Sequence, residues 1–97
     1  MHYMIEFDLP SPLPEDMIAT IPEHRRKVHE LMITGKILTY TLAHDRSRLW
    51  AVVRAQDEHE VMDLLEELPL THWMEFTIHP LGFLLTTQAQ LPKIHLN

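Results

Sequence analysis

The feature that most constrains the fold is an order of hydrophobic patterns that occurs twice along the chain: a strand, a helix and a second strand. Apolar residues occupy every second position over residues 3–9, which predicts a half-buried strand. An apolar stripe with helical spacing over residues 17–31 predicts a helix that stops at Gly35, and Pro22 within it predicts a kink or a restart. The β-prone residues 37–43 predict the second strand.

The second half of the chain repeats this order. A polar turn at residues 44–47 leads into a third, strongly β-prone strand over residues 49–53. Asp57 and Glu60 have the spacing of a capping box, so we expect a second helix to begin there and to end before the next proline. Alternation over residues 74–79 predicts the fourth strand.

The order βαββαβ, with two helices that are apolar on one side only, predicts a ferredoxin-like α+β fold. In this fold a four-stranded antiparallel sheet carries both helices on one face. We expect one domain over residues 1–97, with its core in residues 2–81 and an apolar tail over residues 82–97. Because Tyr40 and Trp50 are expected on the uncovered sheet face, we predict a homodimer that forms a dimeric α+β barrel, with the tail packed on the partner subunit.

Composition excludes several classes of protein. Eight Lys and Arg against 14 Asp and Glu give a net charge of −6, which repels a phosphate backbone, so we expect no nucleic-acid partner. No apolar run approaches the roughly 20 residues that a membrane helix needs, and the amino terminus lacks the pattern of a signal peptide. We therefore expect a cytoplasmic protein with no membrane partner.

The sequence also argues against a metal or an organic cofactor. It contains no cysteine, and its two glycines cannot form a glycine-rich phosphate loop. His24 and His29 are five positions apart, which separates them by about 140° around a helix and prevents joint coordination of a metal. We expect no metal site and no cofactor.

The segment around the end of the second helix resembles the muconolactone isomerase family. Residues 67–78 read ELPLTHWMEFTI, in which a Leu-Pro-Leu stop ends the helix and an aromatic–Met pair precedes the last strand. The likeness extends over about residues 3–81. It implies a dimeric ferredoxin-like fold that can assemble into rings of dimers. It also implies an isomerase of aromatic-compound catabolism that shifts a double bond within an anionic lactone by moving a proton, without metal or organic cofactor.

The first helix and the strand after it are also similar to the YciI-like branch of the same superfamily. That resemblance implies acid/base work by a histidine on the first helix, which falls on His24, together with a partner aspartate, which would fall near Leu68 and is absent from this sequence. In the muconolactone isomerase pattern, an acidic-and-lysine segment of the first helix falls on Glu23, His24 and Arg25, and an arginine of the second strand falls on Thr41.

An anionic lactone needs a cation for its carboxylate and a base near the proton that moves. His24 is the first candidate base, and the alternative is a structural histidine that satisfies its hydrogen bonds within the core. Glu6 is the second candidate base, and the alternative is a solvated or interfacial acid. The candidate substrate-binding residues are Arg25, Tyr40, Trp50 and Arg54, with Arg48 as a further cation; the two aromatic residues either wall a ligand pocket or fill a subunit interface.

Two classes of function stay open at this point. The first is a cofactor-independent isomerase or lyase that acts on a small carboxylated metabolite. The second is a non-catalytic member of the same fold that binds a small molecule or serves in assembly. A cavity beside His24 with a nearby cation favours the first class, and a filled barrel favours the second.

Overall fold

A computed structural model describes residues 1–86 and has the predicted element order. Four antiparallel strands form one sheet in the order β2-β3-β1-β4, which with two helices gives the ferredoxin-like α+β fold. A single 3-10 turn precedes the last strand. The elements are β1 (His2–Asp8), α1 (Glu15–Ile33), β2 (Ile37–Leu42), β3 (Arg48–Arg54), α2 (Glu58–Glu67), the turn Thr71–Trp73 and β4 (Glu75–Pro80).

The core lies between the helices and one face of the sheet. On β1, Tyr3, Ile5 and Phe7 are buried, as the alternation predicts, and the residues between them face the other side. The ring centroid of Phe7 lies 6.2 Å from that of Phe76 on the neighbouring strand β4. From α2, Val61 completes this layer with no exposed surface. Burial of these apolar groups is what fixes which face of the sheet carries the helices.

The helix α1 runs without interruption through Pro22, so the predicted restart at this residue is wrong. Its buried residues, among them Met17 before the proline and Val28 after it, belong to the same hydrophobic core. Packing on both sides of Pro22 therefore holds the helix together although the proline cannot donate a backbone hydrogen bond. The predicted stop is confirmed, because Gly35 has a left-handed φ of 78°.

The capping box of α2 forms as predicted. The side chain of Asp57 accepts a hydrogen bond from the backbone N–H of Glu60 at 2.9 Å. In return, the carboxylate of Glu60 accepts from the backbone N–H of Gln56 at 2.6 Å, one residue earlier than in the standard arrangement. The first bond satisfies a backbone donor that the helix start leaves free, and the second satisfies the donor of the residue just before the N-cap.

A β-bulge in β2 places Tyr40 on the helix face of the sheet, so the prediction that Tyr40 shares the uncovered face with Trp50 is wrong. Ile37 pairs with Val53, whereas Thr39 pairs with Val52, so one extra residue enters β2 between these pairs. An inserted residue reverses the side to which every later side chain points. Thr39 Oγ1 compensates locally by accepting a hydrogen bond from the backbone N–H of Val52 at 3.2 Å.

The carboxyl-terminal part differs slightly from expectation. Strand β4 includes Pro80, which was predicted to follow it; the strand lies at the edge of the sheet, where a missing backbone donor is tolerated. Phe83 and Leu85 beyond it are 79% and 83% exposed on the single chain. Residues 87–97 lie outside the described residues, so the predicted packing of the tail 82–97 on a partner stays a prediction.

No helix in residues 1–86 is both long enough and apolar enough to cross a membrane.

Candidate functional site

His24 is a buried histidine of α1 that has a hydrogen-bond partner for each ring nitrogen. The residue is 3% exposed. The backbone N–H of Leu70 donates to Nδ1 at 3.3 Å, and Nε2 lies 2.5 Å from the hydroxyl oxygen of Tyr40 on β2. Because Nδ1 accepts a hydrogen bond, the proton of the neutral ring is on Nε2, which donates to the Tyr40 hydroxyl.

Burial sets the protonation state of both partners. It lowers the pKa of His24 from 6.5 to about 4 and raises the pKa of Tyr40 to about 12. At neutral pH the imidazole is therefore uncharged and the phenol keeps its proton. Since the Tyr40 oxygen accepts the proton of His24, its own O–H is left to donate to another acceptor.

A groove with a volume of about 330 Å³ adjoins this pair. Tyr40 forms one wall, and four residues of α1 form the rest: Arg25, Val28, His29 and Met32. These four are spaced i, i+3, i+4 and i+7, which places them on one side of the helix. The volume lies at the lower end of the range for ligand pockets and suits a small metabolite.

Arg25 is the cation of this groove, and its neighbours on α1 are engaged elsewhere. Arg26 forms ion pairs with Glu23 at 2.5 Å and with Glu30. Lys27 lies 3.2 Å from Glu67 of α2. Within residues 1–86, no carboxylate lies within ion-pairing distance of the Arg25 guanidinium. The guanidinium is therefore free to bind the carboxylate of a ligand.

An arginine, a tyrosine and a histidine thus line the groove together with apolar side chains, and these residue types suit it to bind a small anion and to move a proton. Compared with known families, the sequence matches the model of muconolactone delta-isomerase over residues 1–84. The chain belongs to the muconolactone delta-isomerase family. The predicted resemblance to the muconolactone isomerase family is therefore confirmed at the level of the family. A comparison with curated proteins finds no match.

In this member of the muconolactone delta-isomerase family, Glu6 and Trp50 lie away from His24, on the uncovered face of the sheet. They are directly opposite each other on β1 and β3. One oxygen of Glu6 lies 3.0 Å from Arg48 and the other 3.2 Å from His79 of β4, while Arg48 also donates to Asp8 at 3.0 Å. His24 and Glu6, the two predicted bases, therefore lie on opposite sides of the sheet.

Arg54 lines a different cavity from Arg25, with a volume of about 500 Å³. Its guanidinium lies against Gly35, since a Cβ at that glycine would be 2.6 Å from Nη2 of Arg54. The charged residues that share this cavity are Lys36, Glu60, Asp63 and Glu67. Carboxylates line this cavity beside its cations, whereas no carboxylate lines the groove of Arg25, so the structure supports Arg25 above Arg54 as the cation for a carboxylate.

From the sequence, His29 was weighed only as a metal ligand and was not predicted to lie in the site. Its spacing of four from Arg25 was the available signal, because two such residues lie side by side on a helix. No sequence signal identifies the backbone N–H of Leu70 as the partner of His24. Among residues 1–86, no group of three or more histidines and carboxylates is arranged to hold a metal ion.

Proposed function

We propose that this protein is a cofactor-independent isomerase that moves a proton within a small unsaturated lactone carrying a carboxylate, with muconolactone as the first substrate to test. The observation that carries the proposal is the hydrogen-bond chain from Leu70 through His24 to Tyr40. This chain holds a phenol donor in the wall of a groove that also carries the unpaired Arg25. The family match supports the class of reaction.

The groups of the groove correspond to the needs of such a reaction. When a proton leaves a ring carbon, negative charge develops on the carbonyl oxygen of the lactone, and a preorganised donor stabilises that charge. Tyr40 supplies the donor, because its oxygen is occupied by the His24 proton while its own O–H is available. Arg25 holds the substrate carboxylate, and the side chains of Val28 and Met32 pack against the ring.

In this proposal His24 positions Tyr40 and does not take up the proton itself. Both ring nitrogens are engaged, and the ring is not among the groups that line the groove. Charging this buried imidazole is also unfavourable, because burial lowers its pKa to about 4.

Replacing Tyr40 by Phe tests the proposal. We expect wild-type protein to isomerise muconolactone and Tyr40→Phe to lose about 100- to 1,000-fold in kcat, the usual effect of removing one oxyanion donor. Tyr3→Phe is the matched control, because Tyr3 is a buried tyrosine on β1 that does not line the groove, and it should retain wild-type turnover.

Three results would contradict the proposal in whole or in part. Absence of turnover by wild-type protein with muconolactone and related unsaturated lactones would remove the isomerase function. Binding of such a lactone without turnover would favour the non-catalytic alternative. Full activity of Tyr40→Phe would remove the phenol from the reaction while leaving the isomerase class intact.

A further inference from the structure

We propose that His29 is the base of this groove: it takes the proton from one carbon of the lactone and returns it to another. The inference rests on the proposed function and assigns a residue that neither the sequence patterns nor the family match singles out. His29 lines the groove together with Arg25, one helical turn away on α1, and with Tyr40.

The composition of the groove leaves one group able to accept a proton at neutral pH. Arg25 stays protonated, and Val28 and Met32 carry no proton acceptor of useful basicity. Tyr40 keeps its proton, since burial raises its pKa to about 12. The imidazole of His29, which is exposed on α1, is the remaining member of the lining.

The carboxylates near the groove are committed to other partners. Glu23 and Glu30 of α1 both pair with Arg26, and Glu30 also lies 3.5 Å from Lys27. Glu6 lies on the opposite face of the sheet, paired with Arg48. Within residues 1–86, none of these carboxylates lines the groove, so none competes with His29 for the role of base.

The step balances without an added reactant. A neutral nitrogen of His29 removes a proton from the ring carbon next to the double bond. The electron pair of the broken C–H bond forms the new double bond, and the pair of the old double bond shifts toward the carbonyl group. Negative charge develops on the carbonyl oxygen, which accepts a hydrogen bond from Tyr40. The imidazolium then returns the proton to the far carbon of the conjugated system, so His29 ends neutral and the product is an isomer of the substrate.

The geometry of α1 supports a carboxylate-binding group and a base on the same side of the helix. Side chains four positions apart on a helix have Cβ atoms about 5–6 Å apart. A carboxylate held by Arg25 therefore keeps the ring of a small lactone within reach of His29, on the same side of the helix. This spacing suits a substrate that is a small ring with its carboxylate on a short side chain.

The test compares His29→Gln with His59→Gln. His59 is an exposed histidine of α2 with a side chain that is 87% exposed, and it lines neither described cavity, so its replacement is a matched control. With muconolactone as substrate, we expect kcat of His29→Gln to fall at least about 100-fold, with KM changed only a few-fold and with an unchanged thermal transition. His59→Gln should match wild type. A kcat for His29→Gln within threefold of wild type overturns the inference.

A second readout separates this inference from the proposed function. The saturated lactone 5-oxotetrahydrofuran-2-ylacetate cannot isomerise, but its carbon-bound proton beside the carbonyl can exchange with deuterated water when a base removes it. Exchange that wild-type protein catalyses and His29→Gln does not supports His29 as the base, even if no lactone is isomerised. Exchange that survives the substitution, or no exchange by wild-type protein, overturns the inference.

Discussion

The imidazole of His24 and the hydroxyl of Tyr40 meet at 2.5 Å although the two residues are 16 positions apart and lie on different elements. The contact joins α1 to β2 on the buried side of the sheet, and the backbone N–H of Leu70 fixes the ring from the other end. A buried polar chain of this kind restricts the ring to one tautomer and the phenol to one orientation. The contact therefore connects the packing of the core with the chemistry available in the groove.

We predict that His24→Gln lowers the free energy of unfolding by roughly 1–3 kcal/mol. The glutamine side chain cannot reproduce both hydrogen bonds of the ring, which leaves a buried donor or acceptor without a partner. Urea unfolding measures the change. His29→Gln is the control, since His29 is exposed and its replacement should stay within about 0.5 kcal/mol of wild type. Equal stability of the two variants would show that His24 is not structural.

Stability should also depend on pH through His24. Burial lowers its pKa from 6.5 in the unfolded chain to about 4 in the folded protein, so between these values the unfolded state binds more protons. The stabilisation is fully present above pH 6.5 and is lost as the pH falls toward 4, by up to about 3 kcal/mol. Denaturant unfolding between pH 7 and pH 4 should therefore show a smaller loss for His24→Gln than for wild type. If wild type and His24→Gln lost the same free energy of unfolding as the pH falls, the burial assigned to His24 would be contradicted.

Most of the fold could be predicted because each element has a local signal. The alternation over residues 3–9 identifies β1 and its buried face, and Asp57 with Glu60 marks the start of α2. The Gly35 stop is equally local, since a left-handed φ is the conformation that glycine adopts most readily. These signals depend on neighbours in sequence, so no knowledge of the tertiary structure is needed to find them.

The site could not be predicted to the same extent, because it depends on one inserted residue. Strict alternation from Ile37 would place Tyr40 on the uncovered face, where the sequence interpretation put it. The bulge between Ile37 and Thr39 reverses this and brings Tyr40 to His24. Bulges of this kind have no reliable sequence signal, and neither has the long-range contact of His24 with the backbone of Leu70.

The left-handed backbone at Gly35 predicts a specific cost of substitution. We expect Gly35→Ala to lower the free energy of unfolding by about 1–2 kcal/mol, because φ is 78° and a Cβ disfavours that region. Gly82→Ala is the matched control, since a Cβ at Gly82 meets no atom within 4 Å. Thermal or urea unfolding measures both variants.

The same substitution distinguishes backbone strain from a steric clash. A Cβ at residue 35 would lie 2.6 Å from Nη2 of Arg54, which is the flexible end of a long side chain. We therefore expect Gly35→Ala to cost the same in an Arg54→Ala background. A cost that disappears in that background would show that the contact with Arg54, and not the backbone conformation, limits this position.

The uncovered sheet face predicts self-association. Trp50 lies on this face, half-buried on the single chain, and Val52 of the same strand shares the face. We expect light scattering at micromolar concentration to report a dimer or a multiple of dimers, with each pair burying more than about 2,000 Å². Trp50→Ala should shift the protein toward smaller species, because aromatic groups supply much of the energy at such interfaces.

Ile33→Ala is the control, since Ile33 is 83% exposed at the end of α1 and not on the sheet face. A wild-type monomer, or an equal effect of both substitutions, would show that the sheet face is not the subunit interface.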